Sequence, residues 1–311
     1  MPTSMSPSRD LANHLDRLFE RATASAWRRT GVAIFRVVVG CLLLLRWAPA
    51  LPGAGYLASL GRIAFAHGGG GWFHAVAIRV CASSVGVAGL SGLIALGGLC
   101  LAINMRPRLA AFVVWVALLI VLRGFPDLAT PGDHFIVGVL PYLILVGPSG
   151  RPVEGRFWVW LHNVAVVGLV AQSAILVFLG AFARAHALSW HNGTALYLIA
   201  QHHQSPASLP VQDLTRNSVI ATVLTYSVLL GGMWYPIFSA LGWRARGVAV
   251  GAFCAVQLLL CFLPPLTHLS LLIIGSSSTL LSDSHYDLIR RAAVGLRRHL
   301  PGAALPRRAS D

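Results

Sequence analysis

The chain has no lysine; all 24 of its basic residues are arginine. That removes lysine as a general base and as a Schiff-base former, and arginine cannot stand in because its guanidinium stays protonated. Acidic residues are also scarce, 10 in 311, and charged residues make up only 11% of the chain, against about 25% in a soluble domain. The five cysteines, Cys41, Cys81, Cys100, Cys254 and Cys261, all lie in apolar runs and none forms a CxxC pair. This argues against a disulfide framework, a zinc site and a dithiol redox centre, and for buried, inert thiols. The glycine run Gly68–Gly71 has no Lys-Ser/Thr after it, so it is not a phosphate cradle.

What is present is apolar. Hydrophobic residues reach 56%, in runs that approach the roughly 20 residues needed to cross a bilayer. The expected fold class is all-α, a polytopic bundle of about eight membrane helices. The spans are expected at 30–51, 80–103, 109–124, 134–147, 157–183, 218–241, 247–263 and 266–281. The last is short enough to be re-entrant instead. Residues 52–78 read as a glycine-rich loop and 184–217 as a polar segment. Residues 10–25 place Leu11, Leu15, Leu18 and Phe19 at helical spacing, which suggests an amphipathic helix lying on the membrane. They lack an apolar core of their own, so no cleavable leader is expected. The domain division is then a cytoplasmic tail (1–29), a membrane domain (30–282) and an arginine-rich cytoplasmic tail (283–311).

The net charge of +14 is a topology signal rather than a nucleic-acid footprint, because it falls in short loops and tails. With the N-terminus inside, Arg106, Arg108, Arg151, Arg156, Arg244, Arg246 and the C-terminal arginines also fall inside. Arg62, Arg184 and Arg216 fall outside. The bias fits eight spans with both ends cytoplasmic; the all-arginine composition fits a GC-rich bacterial genome, so a bacterial inner membrane is the expected location. The expected partners are the lipid bilayer, anionic at its cytoplasmic face, and no nucleic acid. Arg36, at mid-span, should face the bundle and find a partner, since a lipid-facing charge there costs at least about 2.5–3.5 kcal/mol. Arg46 can snorkel.

The same topology gathers His67, His74, Asp127, Asp133, His134, Arg184, His186, His191, His202 and His203 at the outer side. His134 or His186 is a candidate base, because histidine titrates near neutral pH. Arg184 is a candidate anion holder, with Asp133 and His191 beside it and Trp190 as a wall; Arg184 and Asp133 could instead pair and close the helix ends. No HxxH or HxxxH spacing supports a metal. Gln172 and Gln257, inside spans, either bond between helices or line a lipid-quinone cavity. The central expectation is that these separated ionisable groups meet in one extracytoplasmic hollow.

The order FRVVVGCLLLL, RPRLAAFVVWVALL, the Gly132-Asp133-His134 loop and FLGAFARAHALSWHNGTALYLI resembles the membrane domain of vitamin K-dependent gamma-carboxylases. Many short bacterial proteins of the horizontally transferred transmembrane (HTTM) family share that domain. The resemblance covers roughly 30–280 and rests on order and spacing. It implies a lysine base before a Trp-Gly turn. Trp190 and Gly193 match the turn, but Arg184 or Ala185 stands at the lysine position, which places glutamate carboxylation in doubt. It also implies an assisting Asn-His pair, matched here by Asp133-His134, and a reduced quinone as the cofactor class. Short members include the membrane component of the sporulation-delaying-protein toxin system (the SdpB-like group). That likeness implies a maturation factor for a secreted antimicrobial or toxin peptide, with that peptide and a co-encoded accessory protein as partners. A non-enzymatic peptide escort and a quinone-linked oxidoreductase subunit remain the alternatives.

Overall fold

The computed structural model describes residues 20, 23–65, 71–148, 153–201 and 209–299. Every regular element among them is helical. In chain order they are α1 (Arg29–Trp47), α2 (Ala54–Phe65), α3 (Trp72–Cys81), α4 (Ser84–Ala102), α5 (Pro107–Gly124) and, after a 3₁₀ turn at Pro126–Leu128, α6 (Pro131–Leu145). Then come α7 (Arg156–Ala185), α8 (Leu188–His191), α9 (Ala195–Ala200), α10 (Leu209–Arg216), α11 (Ser218–Phe238), α12 (Trp243–Leu260), α13 (Pro264–Ser278) and α14 (Asp283–His299).

Six of these, α1, α4, α5, α7, α11 and α12, are long and apolar enough to cross a membrane. The chain therefore has the character of a multi-pass membrane protein. The helix α7, with 30 residues, is about 45 Å long, beyond the roughly 30 Å hydrocarbon core. By contrast α6 and α13 have 15 residues each, about 22 Å.

Three regions differ from the sequence reading. The 52–78 loop is largely two short helices, α2 and α3, because only the glycine run interrupts two apolar stretches. The polar 184–217 segment is likewise broken into the short helices α8, α9 and α10. The arginine-rich tail begins as the amphipathic helix α14. The amphipathic helix expected at 10–25 falls almost wholly outside the described residues, as do His67, His202, His203 and the Asp127 side chain.

Helix association inside lipid gains nothing from burying apolar surface, so close packing of small residues carries it. The α1–α4 contact shows this. A Cβ on Gly40 would overlap the Gly98 carbonyl and come within 2.6 Å of the Ala102 amide nitrogen. The two backbones therefore touch only because both positions are glycine. Phe35, Leu43, Ile94, Leu118, Ile136 and Leu140 fill the core behind that contact.

The short helix α13 is central: it packs on α1, α6, α7 and α12. It is also polar for a buried helix. Ser276, Ser277 and Thr279 are fully buried and return their hydroxyls to α13 carbonyls at Ile273 and Ser276. Ser278 bonds Gly31 O on α1 at 2.7 Å. Satisfying the hydroxyls locally lets a serine run sit in the core without the cost of unpaired polar groups.

These contacts fix the two ends of the bundle. At one end Arg28 donates to Thr279 O at 2.8 Å, the Thr30 amide to Asp283 at 3.1 Å, and Tyr286 to Ser278 O at 2.7 Å. Asn163 and His162 of α7 bind the backbone of Ser25 and Trp27 at the same end. Arg36, 1% exposed, turns inward as expected and donates to Val146 O at 2.8 Å, just past α6. The opposite end holds the C-terminus of α1 and the N-termini of α6 and α13.

Candidate functional site

Thr130 starts α6. Its hydroxyl accepts from the Asp133 amide, and the Asp133 carboxylate accepts from the Thr130 amide at 2.8 Å: a capping box that satisfies two orphan helix donors. The same carboxylate oxygen, Oδ2, takes Arg46 Nη2 at 2.7 Å from the end of α1. Arg46 also donates to Leu128 O at 3.0 Å. Arg46 thus does more than snorkel: it ties α1 to α6. Asp133 is fully buried, and among the described residues its other oxygen, Oδ1, has no hydrogen-bond partner.

His268, in the first turns of α13, completes the group. Its Nδ1 lies 3.3 Å from Thr130 Oγ1, and the imidazole rests on Gly132. A Cβ at Gly132 would come within 2.8 Å of His268 Cε1 and closer still to Nδ1, so only glycine admits the ring. In the Gly132-Asp133-His134 loop, then, glycine seats a histidine from another helix, aspartate caps and pairs, and His134 is exposed.

The bonding order fixes the imidazole tautomer. Thr130 Oγ1 lies 2.7 Å from Asp133 Oδ2 and donates its one proton there, since a carboxylate only accepts. Its lone pairs are left for donors, so His268 Nδ1 carries a hydrogen and points it at Thr130. A neutral His268 then holds its free lone pair on Nε2. That atom is buried and, among the described residues, has no hydrogen-bond partner. An imidazole oriented through a hydroxyl by a carboxylate, with an uncommitted Nε2, can take a proton.

Arg184 lies elsewhere at this end, and the pairing expected as one option between Arg184 and Asp133 is corrected: Asp133 is already bound to Arg46. Arg184 sits over the ring of buried Trp190 at 5.3 Å, and among the described residues no carboxylate pairs with it. It lines a cavity of about 30 Å³ with Gln257, Phe135, Phe253, Leu269 and Ile273. That is room for a water or two. Gln257 is 2% exposed and lines this cavity, whose volume is far too small for a lipid quinone. Gln172 instead packs beside Gly138. The cavity touches α6 and α13 one to two residues beyond Asp133 and His268.

The cavity does not bring in His134, His186 or His191. All three are exposed. His186 Nδ1 is 2.9 Å from Phe182 O and its ring packs edge-on against Phe182. The His191 carbonyl accepts from Tyr226 at 2.6 Å. Among the described residues no three His, Cys, Asp or Glu side chains converge to hold a metal ion.

Sequence reasoning missed Thr130, Arg46 and His268 as a group. Two signals were available: Thr130-Pro-Gly-Asp133 is a capping-box spacing, and Pro264-Pro265-Leu-Thr-His268 puts a histidine in the first turns of a proline-started helix at the same end. No family model, curated protein or solved structure matches the chain.

Proposed function

We propose that this chain is an inner-membrane protein of the HTTM kind, related to the carboxylase membrane domain, which matures a secreted peptide from the extracytoplasmic side. In this reading α6 and α13 also cross, giving eight passages with both termini cytoplasmic, and the short helices meet the bilayer surface through local thinning. Arginine asymmetry supports that orientation. Arg28, Arg29, Arg106, Arg108, Arg156, Arg244, Arg246, Arg290 and Arg291 gather at one end; of Arg46, Arg62, Arg79, Arg123, Arg184 and Arg216 at the other, Arg46 and Arg216 are neutralised by Asp133 and Asp213.

The observation that carries a chemical role is His268 Nε2: buried, unbonded, and backed by the Thr130–Asp133–Arg46 chain. In this reading His268 is the proton acceptor, Asp133 and Thr130 hold its tautomer, and Arg184, over Trp190, attracts an anionic group to this end of the bundle. The bet on His134 or His186 as base thus moves to His268, a histidine held in place from both sides. The test compares secreted peptides by mass spectrometry from cells with and without the gene. A peptide whose mass changes supports maturation. A peptide of unchanged mass that is no longer secreted supports escort instead, a reading that the water-sized cavity beside Arg184 favours.

A further inference from the structure

The hinge between α4 and α5 bears two adjoining hollows that the proposed chemistry does not use. One is a basin of about 590 Å³ lined by Asn104, Met105, Arg106, Pro107, Arg108 and Pro148. The other is a groove of about 270 Å³ on the outer face of α4 and α5, lined by Leu93, Leu96, Cys100, Leu109, Ala110 and Val113. Met105, Arg106 and Leu109 line both, so the hollows are continuous. The basin lies at the arginine-rich end of the bundle. The groove runs away from it, toward the middle of α4, over about two helical turns.

The chemistry of the two parts differs sharply. Among the described residues the basin's lining has two guanidinium groups and no carboxylate. Arg108 is held in place: it lies 4.9 Å over the Trp158 ring and 3.4 Å from the carbonyls of Leu145 and Val146. Arg106 is exposed and, among the described residues, forms no ion pair or side-chain hydrogen bond. The groove is lined almost wholly by apolar side chains, and Leu93, Leu96 and Leu109 stand exposed in it, 48%, 60% and 55% respectively.

We propose that basin and groove together seat one anionic phospholipid. Its phosphate lies between Arg106 and Arg108, and one acyl chain runs along Leu93, Leu96, Leu109 and Val113. Charge complementarity selects the headgroup, since basic pockets between membrane helices at the cytoplasmic side take anionic headgroups, and arginine matches phosphate oxygens with paired donors. A free phosphate would use only the basin and leave the groove unexplained. A zwitterionic lipid offers the same phosphate but adds a headgroup cation, which the arginine pair repels, so it binds less tightly. The proposal is independent of peptide maturation.

The test is native mass spectrometry of the full chain released from detergent, with phosphatidylglycerol or phosphatidylcholine of identical acyl chains. One phosphatidylglycerol should be retained at a concentration roughly fivefold or more below that needed for phosphatidylcholine, the effect of about one arginine near an anionic surface. Arg106→Gln should erase that preference. Leu96→Trp, which fills the groove, should weaken retention of both lipids. Inorganic phosphate in large excess should not displace the bound lipid. Equal retention of the two lipids by the unaltered protein overturns the proposal, as does a preference that survives Arg106→Gln or full displacement by phosphate. Because the unaltered chain alone separates the two lipids, a variant that fails to fold does not spare the proposal.

Discussion

Arg46 and Asp133 close to 2.7 Å across 87 residues of sequence, and the carboxylate oxygen that receives the guanidinium also caps α6. One buried atom thus sets the start of a helix, its attachment to α1, and the hydroxyl that faces His268. Removing Asp133 strands Arg46 and breaks one half of the α6 capping box at once. Asp133→Ala should cost about 3 kcal/mol, read as a lowered thermal midpoint in detergent. Asp133→Asn, which keeps the cap acceptor but loses the charge, should cost less. A double variant with Arg46→Met should recover part of the loss, because no unpaired charge is then left.

Gly132 lets the His268 ring of α13 rest against α6. Gly132→Ala should displace the His268 ring and break its register with Thr130. Nitrogen-15 NMR of labelled imidazole should report hydrogen on Nδ1 of His268 in the unaltered protein and a mixed tautomer in the variant. An unaltered spectrum would show that the ring does not depend on this glycine.

Arg36 is a guanidinium in the middle of an apolar helix, held by the carbonyl that ends α6. Arg36→Ala opens a cavity and withdraws the donor that lies 2.8 Å from Val146 O, and should cost roughly 2–4 kcal/mol. Arg36→Met refills the volume and should recover more than half of that. Equal losses in both would place the whole effect in the hydrogen bond.

At the other end Tyr286 clasps α14 to α13 through Ser278 O. Its phenol is pushed up to about 12, chiefly by burial, with the Asp283 carboxylate adding to the rise. The folded form therefore holds this proton longer than the unfolded chain, whose tyrosine has the ordinary value of 10.0. The contribution is complete below the unfolded value and is lost as pH climbs toward the folded one. Tyr286→Phe should lower stability by about 1 kcal/mol at neutral pH. It should also flatten the alkaline loss that separates the two proteins on this interval in pH-dependent thermal melts.

Much of this architecture can be read from the sequence, because long apolar runs and short arginine hinges are local signals. All six long helices coincide with expected spans to within a few residues. The inward turn of Arg36 was legible for the same reason: a charge at mid-helix has nowhere else to go. The loop at 52–78 was misread because its glycine run dominated two short apolar stretches beside it. The site was harder. Asp133 stood out, but its partner could not be chosen, since Arg46 and Arg184 both end helices at the same side and only packing decides which reaches it. His268 was invisible because its role depends on Gly132, a contact between helices more than a hundred residues apart.

The most direct test of the central claim, that His268 is the proton acceptor of a peptide-maturing site, is the mass spectrum of peptides secreted by cells carrying His268→Ala at matched protein level. The account predicts that at least one peptide present with the unaltered protein is missing or appears at its precursor mass. Identical spectra from the two strains would contradict it.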